Sequence, residues 1–171
     1  MDAETRRIAI VAHCLLNRET KVRGLAHGPG AHPLVHDLLG QGMGVVQLPC
    51  PEASYLGMNR WGMTYEQYDV PAFRRHCIEI LRPTVETLEV LHRDGAEIAS
   101  VIGVDGSPNC GVAWTCRGYT GGEPEDVYGL DGEPQKAARF AGLGVFFEIL
   151  KEMLDEVGIQ AGFEAVPEES L

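Results

Sequence analysis

Four short apolar runs, separated by segments of loop and helix, set the tightest limit on how this chain can fold. RIAIVA at Arg7–Ala12, MGVVQL at Met43–Leu48, AEIASVIGV at Ala96–Val104 and the stretch Ile159–Val166 each have the length and β-branched content of a buried strand. Helical periodicity fills much of the space between them. Phe73, Cys77, Ile80, Leu81, Val85, Leu88 and Leu91 form one stripe over Val70–Arg93, with Pro83 predicting a kink or a break and Gly95 closing the helix. Phe140, Leu143, Phe147, Leu150, Leu154 and Val157 align over Ala137–Val157, and Gly158 supplies a C-terminal stop. A shorter helix is expected over His32–Leu39. Strands alternating with helices predict a single α/β domain over residues 1–171, three-layered and Rossmann-like, with a mostly parallel sheet covered by helices on both faces. Its crossovers should be right-handed, and sites in such sheets gather beyond the carboxyl ends of the strands.

The remaining segments read as loops. Asn17–Pro33 is polar and Gly-rich, Glu52–Tyr68 is long enough to be a functional loop, and Asp105–Pro134 is turn-rich. An acidic tail after Val166 is expected to fray.

Composition narrows the partners. The 171 residues carry 14 Lys plus Arg against 25 Asp plus Glu, a net charge of −11. That balance argues against DNA, against RNA held through its phosphates and against an anionic membrane surface. No apolar run approaches the roughly 20 residues of a membrane span. Ile8–Ala12 is too short for the apolar core of a signal peptide, so the expected compartment is the reducing cytoplasm. A small molecule is the expected partner, and homodimer formation is compatible with the composition.

The five cysteines divide by position. Cys14 follows the first strand, Cys50 the second, and Cys110 stands a short loop beyond the third. If those strands are parallel neighbours, the three thiols converge on one edge of the sheet. Each lies among Pro, Asn or Gly rather than in a core run. Cys77, on the apolar stripe of the long helix, reads as a small core residue. Cys116 reads as a fourth ligand or a spare thiol. Three convergent thiolates suit a metal centre with one open position, which favours catalysis over a purely structural role. The paired C-x₂-C knuckles of structural zinc are absent, and spacing alone leaves an iron–sulfur cluster and zinc both open.

Three segments resemble the thiouracil desulfidase family: Ala12-His13-Cys14-Leu15-Leu16-Asn17, Pro49-Cys50-Pro51-Glu52 and Gly106-Ser107-Pro108-Asn109-Cys110-Gly111. Their order and separation match, and with the strands before them they cover about a third of the chain. The last segment is the most specific. The resemblance implies an α/β fold with a [4Fe–4S] cluster on Cys14, Cys50 and Cys110, its fourth iron free to bind the sulfur of a thiolated substrate. It also implies roles for Glu52 and Ser107. The chain departs from the family at Arg18-Glu19-Thr20-Lys21-Val22-Arg23-Gly24, where members commonly read Cys-Arg-Tyr-Asp-Gly, so its substrate pocket should differ.

The implied reaction is hydrolytic, non-redox removal of sulfur from a small thiocarbonyl compound such as a thiolated pyrimidine. Glu52 is the candidate general base and Ser107 a hydrogen-bonding or proton-relay group. Asn17 and Arg60 are the candidate substrate-holding residues, with Asn59 and Trp61 nearby in the loop. His13 could tune the centre, and Asp105 could start a turn. Two rival readings use the same thiols: a zinc-dependent hydrolase and a cluster-holding redox sensor. The base-deaminase zinc signature is absent, which lowers the first. The acidic charge lowers a DNA-reading sensor.

Overall fold

The computed structural model describes residues 6–25, 28, 30–123 and 138–171. The strands are β1 (Arg7–Val11), β2 (Gly44–Gln47), β3 (Glu97–Asp105), β4 (Trp114–Arg117), β5 (Ala138–Ala141) and β6 (Gly162–Pro167). The helices are α1 (His13–Leu16), α2 (Pro33–Gly40), α3 (Pro51–Leu56), α4 (Tyr65–Tyr68), α5 (Pro71–Arg93) and α6 (Val145–Glu156).

The four expected strands form one parallel sheet in the order β2-β1-β3-β6. Central β1 and β3 are buried on both faces, which explains their largely apolar runs, Ser100 being the buried polar exception in β3; edge strand β6 alternates more. The crossovers β2→β3 and β3→β6 run in the same direction along the sheet, so right-handedness puts α5 and α6 on one face, where they pack together. The β1→β2 crossover runs the other way and carries α2 on the opposite face. The expected three-layer α/β architecture is therefore the observed one. Phe73, Cys77, Leu81, Val85 and Leu88 of α5 are buried, as are Phe146, Phe147, Ile149, Leu150 and Leu154 of α6. Each large side chain fully buried contributes about 1.5–3 kcal/mol. Cys77 belongs to this core.

Several local expectations are corrected. Pro83 does not divide α5, which runs unbroken from Pro71 to Arg93. It sits on the exposed side, as does Glu79, so the carbonyl that lacks its usual donor faces water. The predicted start of α6 is wrong by eight positions where the residues are described: Ala138–Ala141 is β5, paired antiparallel with β4, and Phe140 is exposed. Gly142, at φ +129°, and Gly144, extended at φ −75° and ψ 161°, end that strand and hold the helix start at Val145. The Glu52–Tyr68 loop holds two helical segments, α3 and α4, and the turn-rich segment holds β4. The acidic tail does not fray: Lys21 Nζ lies 2.7 Å from Glu168 Oε1, and Leu171 is buried. Ala26, His27 and Pro29 of the first loop, the turn-rich segment from 124 on, and Ala137 lie outside the described residues. Among the described residues, no helix is long and apolar enough to cross a membrane.

The loop after β3 is pressed between that strand and α6. A Cβ on Gly103 would stand 2.1 Å from the Cys110 carbonyl oxygen and 2.6 Å from Phe147. Gly103→Ala is expected to lower unfolding free energy by about 3 kcal/mol in urea titration. A change under about 0.5 kcal/mol would contradict this packing.

Candidate functional site

Neighbouring β1 and β3 send their chains in opposite directions, to β2 and β6. That divergence opens a crevice beyond their carboxyl ends. A cavity of about 570 Å³ occupies the place. Cys14, Cys50 and Cys110 all line it, together with Glu52, Ser107, Arg60, His13 and Trp61.

Each thiol is set by a different strand. The sheet ladder runs on to Ala12, whose N–H donates to Ile102 O at 2.9 Å, and α1 then carries Cys14. Leu48 N–H donates to Val11 O at 2.9 Å, directly before Pro49-Cys50. Cys50 caps α3: its sulfur accepts from Ala53 N–H at 3.4 Å, and Pro51 opens the first turn. Cys110 sits in a loop built on side-chain acceptors. Ser107 Oγ accepts from the N–H groups of Asn109 (3.2 Å) and Cys110 (3.0 Å). Asp105 Oδ1 accepts from Val112 and Ala113 at 3.0 and 2.9 Å, so Asp105 is the turn-organising residue.

Burial governs the thiols. It pushes Cys14 up to about 12, against the lowering effect of the Lys21 charge, and raises Cys50. Cys110 is raised well above the usual thiol range, first by burial and then by Cys14 and Cys50. Without a bound cation these groups are thiols; a metal group would have to displace their protons. Among the described residues, no three His, Cys, Asp or Glu side chains are drawn tightly enough together to chelate one ion.

Glu52, in the first turn of α3, is fixed at both oxygens. Asn109 Nδ2 donates to Oε1 at 2.9 Å and Arg60 Nε to Oε2 at 3.2 Å. The pair is largely withdrawn from water, with the Arg60 side chain 4% exposed and Glu52 15%. The Tyr68 phenol, facing Glu52, is raised by burial and by the Glu52 charge. Arg60 also donates to the Gly57 carbonyl at 3.1 Å and to the Thr20 carbonyl. Those donors tie three segments together, so Arg60 holds the protein's own groups while lining the cavity. Asn17 is not on the cavity wall. Its Oδ1 accepts from Glu19 N–H at 3.1 Å, capping the 3₁₀ turn Arg18–Thr20. Asn59 is off the wall as well.

His13 Nδ1 lies 3.0 Å from Leu48 O. Because a carbonyl only accepts, Nδ1 carries the proton in this contact. Cys116 on β4, open in the sequence between a fourth ligand and a spare thiol, lines the cavity. Lys21 and Glu168, to which the sequence assigned no role, line it too, and Asn109 reaches Glu52 from behind. Lys21 had a signal, since it lies in the stretch that departs from the desulfidase pattern. Glu168 had none, because an acidic terminus resembles a solvated tail.

The fold and site define an α/β protein with a cysteine-lined cavity at the switch point of its sheet. The chain belongs to the same family as the uncharacterized protein MJ0003 of Methanocaldococcus jannaschii, with 39% identity over 108 residues, covering 63% of this chain and 69% of that protein. No family model matches the chain. No solved structure matches it.

Breaking the buried pair from one side leaves Glu52 uncompensated. Arg60→Met is expected to destabilise the protein by about 3 kcal/mol. Adding Glu52→Gln should restore at least half, read as a double-mutant cycle in urea. Additive losses would show that the two groups do not interact.

Proposed function

We propose that this protein is an iron–sulfur-dependent desulfidase that hydrolyses the C=S bond of a small thiocarbonyl compound, such as a thiolated pyrimidine, in the reducing cytoplasm. The observation that carries the reading is the lining of one cavity by Cys14, Cys50 and Cys110, delivered from three adjacent parallel strands, with Glu52 and Ser107 beside them. The desulfidase-like motifs support it independently of the geometry.

The donor set fits the group. All three candidate ligands are sulfur, which suits iron–sulfur chemistry or zinc. Three sulfur ligands suit either group, and the desulfidase-like motifs favour the cluster. Cys14, Cys50 and Cys110 would hold it. When bound, it would supply an open iron as a Lewis acid that polarises the C=S bond.

The chain's own groups account for the rest. Overall, C=S plus water gives C=O plus hydrogen sulfide: the water oxygen bonds to carbon, the carbon–sulfur bond breaks, and both water protons end on the sulfide. Glu52, aimed by Asn109 and Arg60, has lone pairs left to take a proton from the attacking water. Ser107 Oγ already accepts two N–H bonds, so its own proton is the part it can offer to substrate. The apolar prolines Pro49, Pro51 and Pro108 line the walls and limit competing water.

Protein purified without oxygen should contain iron and acid-labile sulfide, and Cys14→Ser, Cys50→Ser and Cys110→Ser should each lose most of both. One zinc per chain, or no metal, would sink the cluster. Glu52→Gln should keep iron but slow sulfide release from thiolated bases by about a hundredfold. Unchanged turnover would remove Glu52 as the base.

A further inference from the structure

Lys21 is built into the cavity wall. Its side chain is only 9% exposed, and its ammonium lies 2.7 Å from Glu168 Oε1 on a side chain 35% exposed. The backbone around it is held from several sides. Lys21 N–H donates to Arg18 O at 3.0 Å, Asn17 caps the turn just before it, and the Arg60 guanidinium holds the Thr20 carbonyl. Removing an ammonium from water costs several kcal/mol, and one carboxylate partner does not turn that into a stability gain. A role in the cavity explains its retention better than a role in holding the fold.

The charges around the thiols show what that role is. Arg60 is balanced by Glu52 within the same buried pair. Glu168 stands nearer to water than Lys21 does, so solvent screens the carboxylate more than the ammonium. The pocket wall therefore carries a buried ammonium whose carboxylate partner is the better screened of the two. Three thiolates in an apolar cavity repel one another, and a fixed positive charge on the same wall offsets that repulsion.

We propose that Lys21, oriented by Glu168, is the counter-cation of the Cys14–Cys50–Cys110 centre and keeps an iron–sulfur cluster bound and reducible there. The proposal rests on the desulfidase reading above. Lys21 acts on the centre through its charge, and Glu168 acts only by orienting Lys21.

The test uses the full chain, purified without oxygen, with two readouts other than activity: the rate of iron loss to a ferrous chelator and the midpoint potential. Lys21→Met should lose iron on the order of tenfold faster than the parent and have a more negative potential. Lys21→Arg and Glu168→Gln, which both keep the cation, should stay within about twofold of the parent. If Lys21→Met fails to fold, Lys21→Met with Glu168→Leu keeps the contact closed by apolar groups and should still lose iron fast. Lys21→Met, or the double variant, behaving like the parent would overturn the proposal. So would Glu168→Gln being as damaging as Lys21→Met, since the effect would then belong to wall closure rather than charge. A parent protein that binds no iron overturns the cluster reading and this proposal together; a parent with a cluster that ignores Lys21 overturns only this one.

Discussion

The contact on which the site depends is between the start of α6 and the loop that carries Cys110. The first N–H groups of a helix have no partner inside it and must find acceptors elsewhere. Here Gly144 N–H donates to Gly111 O at 3.0 Å, Val145 N–H to Pro108 O at 3.0 Å and Phe147 N–H to Asn109 O at 3.1 Å. Those carbonyls belong to the residues around Cys110, so the helix start and the Cys110 loop satisfy each other. The approach is close enough to exclude side chains. A Cβ on Gly144 would meet the Asn109 carbonyl carbon at 2.4 Å, and one on Gly111 would meet the Trp114 carbonyl oxygen at 2.5 Å. The Gly-Ser-Pro-Asn-Cys-Gly motif thus has a mechanical meaning, with Ser107 supplying the acceptor and Gly111 the clearance.

A second constraint couples the same loop to the segment after β2. Asn109 sits one residue before Cys110, and Glu52 two residues after Cys50. Their 2.9 Å hydrogen bond, completed by the Arg60 pair, therefore joins the Cys50 and Cys110 loops through one carboxylate. A shift of either loop would move the carboxylate with it. The unpartnered Asn109 Oδ1 behind this network is a local cost, of about 1–3 kcal/mol. The arrangement puts the orientation of Glu52 ahead of complete hydrogen bonding.

The sheet and the thiols were readable in the sequence because both follow from short-range pattern plus one topological rule. Buried parallel strands must be largely apolar, as Ile8–Val11 and Ile98–Val104 are, and residues just past them fall at one edge. The errors lie where tertiary partners override local pattern. Phe140 and Leu143 have helical spacing with Phe147, yet Gly142 and Gly144 break the run and β4 captures Ala138–Ala141. Asn17 sits in a motif but caps a turn. Other features are legible only in three dimensions: Arg60 lines the cavity while its guanidinium engages Glu52, Gly57 and Thr20. The docked tail depends on a partner that is distant in sequence, Lys21, and no local pattern announces it.

Net charge and local charge point in different directions here. A total of −11 disfavours long polyanions at the surface, yet the cavity wall carries Lys21, Arg23 and Arg60 against Glu52 and Glu168. A buried site responds to the charges within its own low-dielectric walls far more than to screened surface groups. Three thiols that burial keeps protonated become ligands only if positive charge compensates their ionisation, whether from bound iron or from a neighbouring ammonium. Because the thiols come from the ends of β1, β2 and β3, anything that binds all three also ties those strand ends together. Its binding free energy is then added to the stability of the sheet, so the site and the fold hold each other in place.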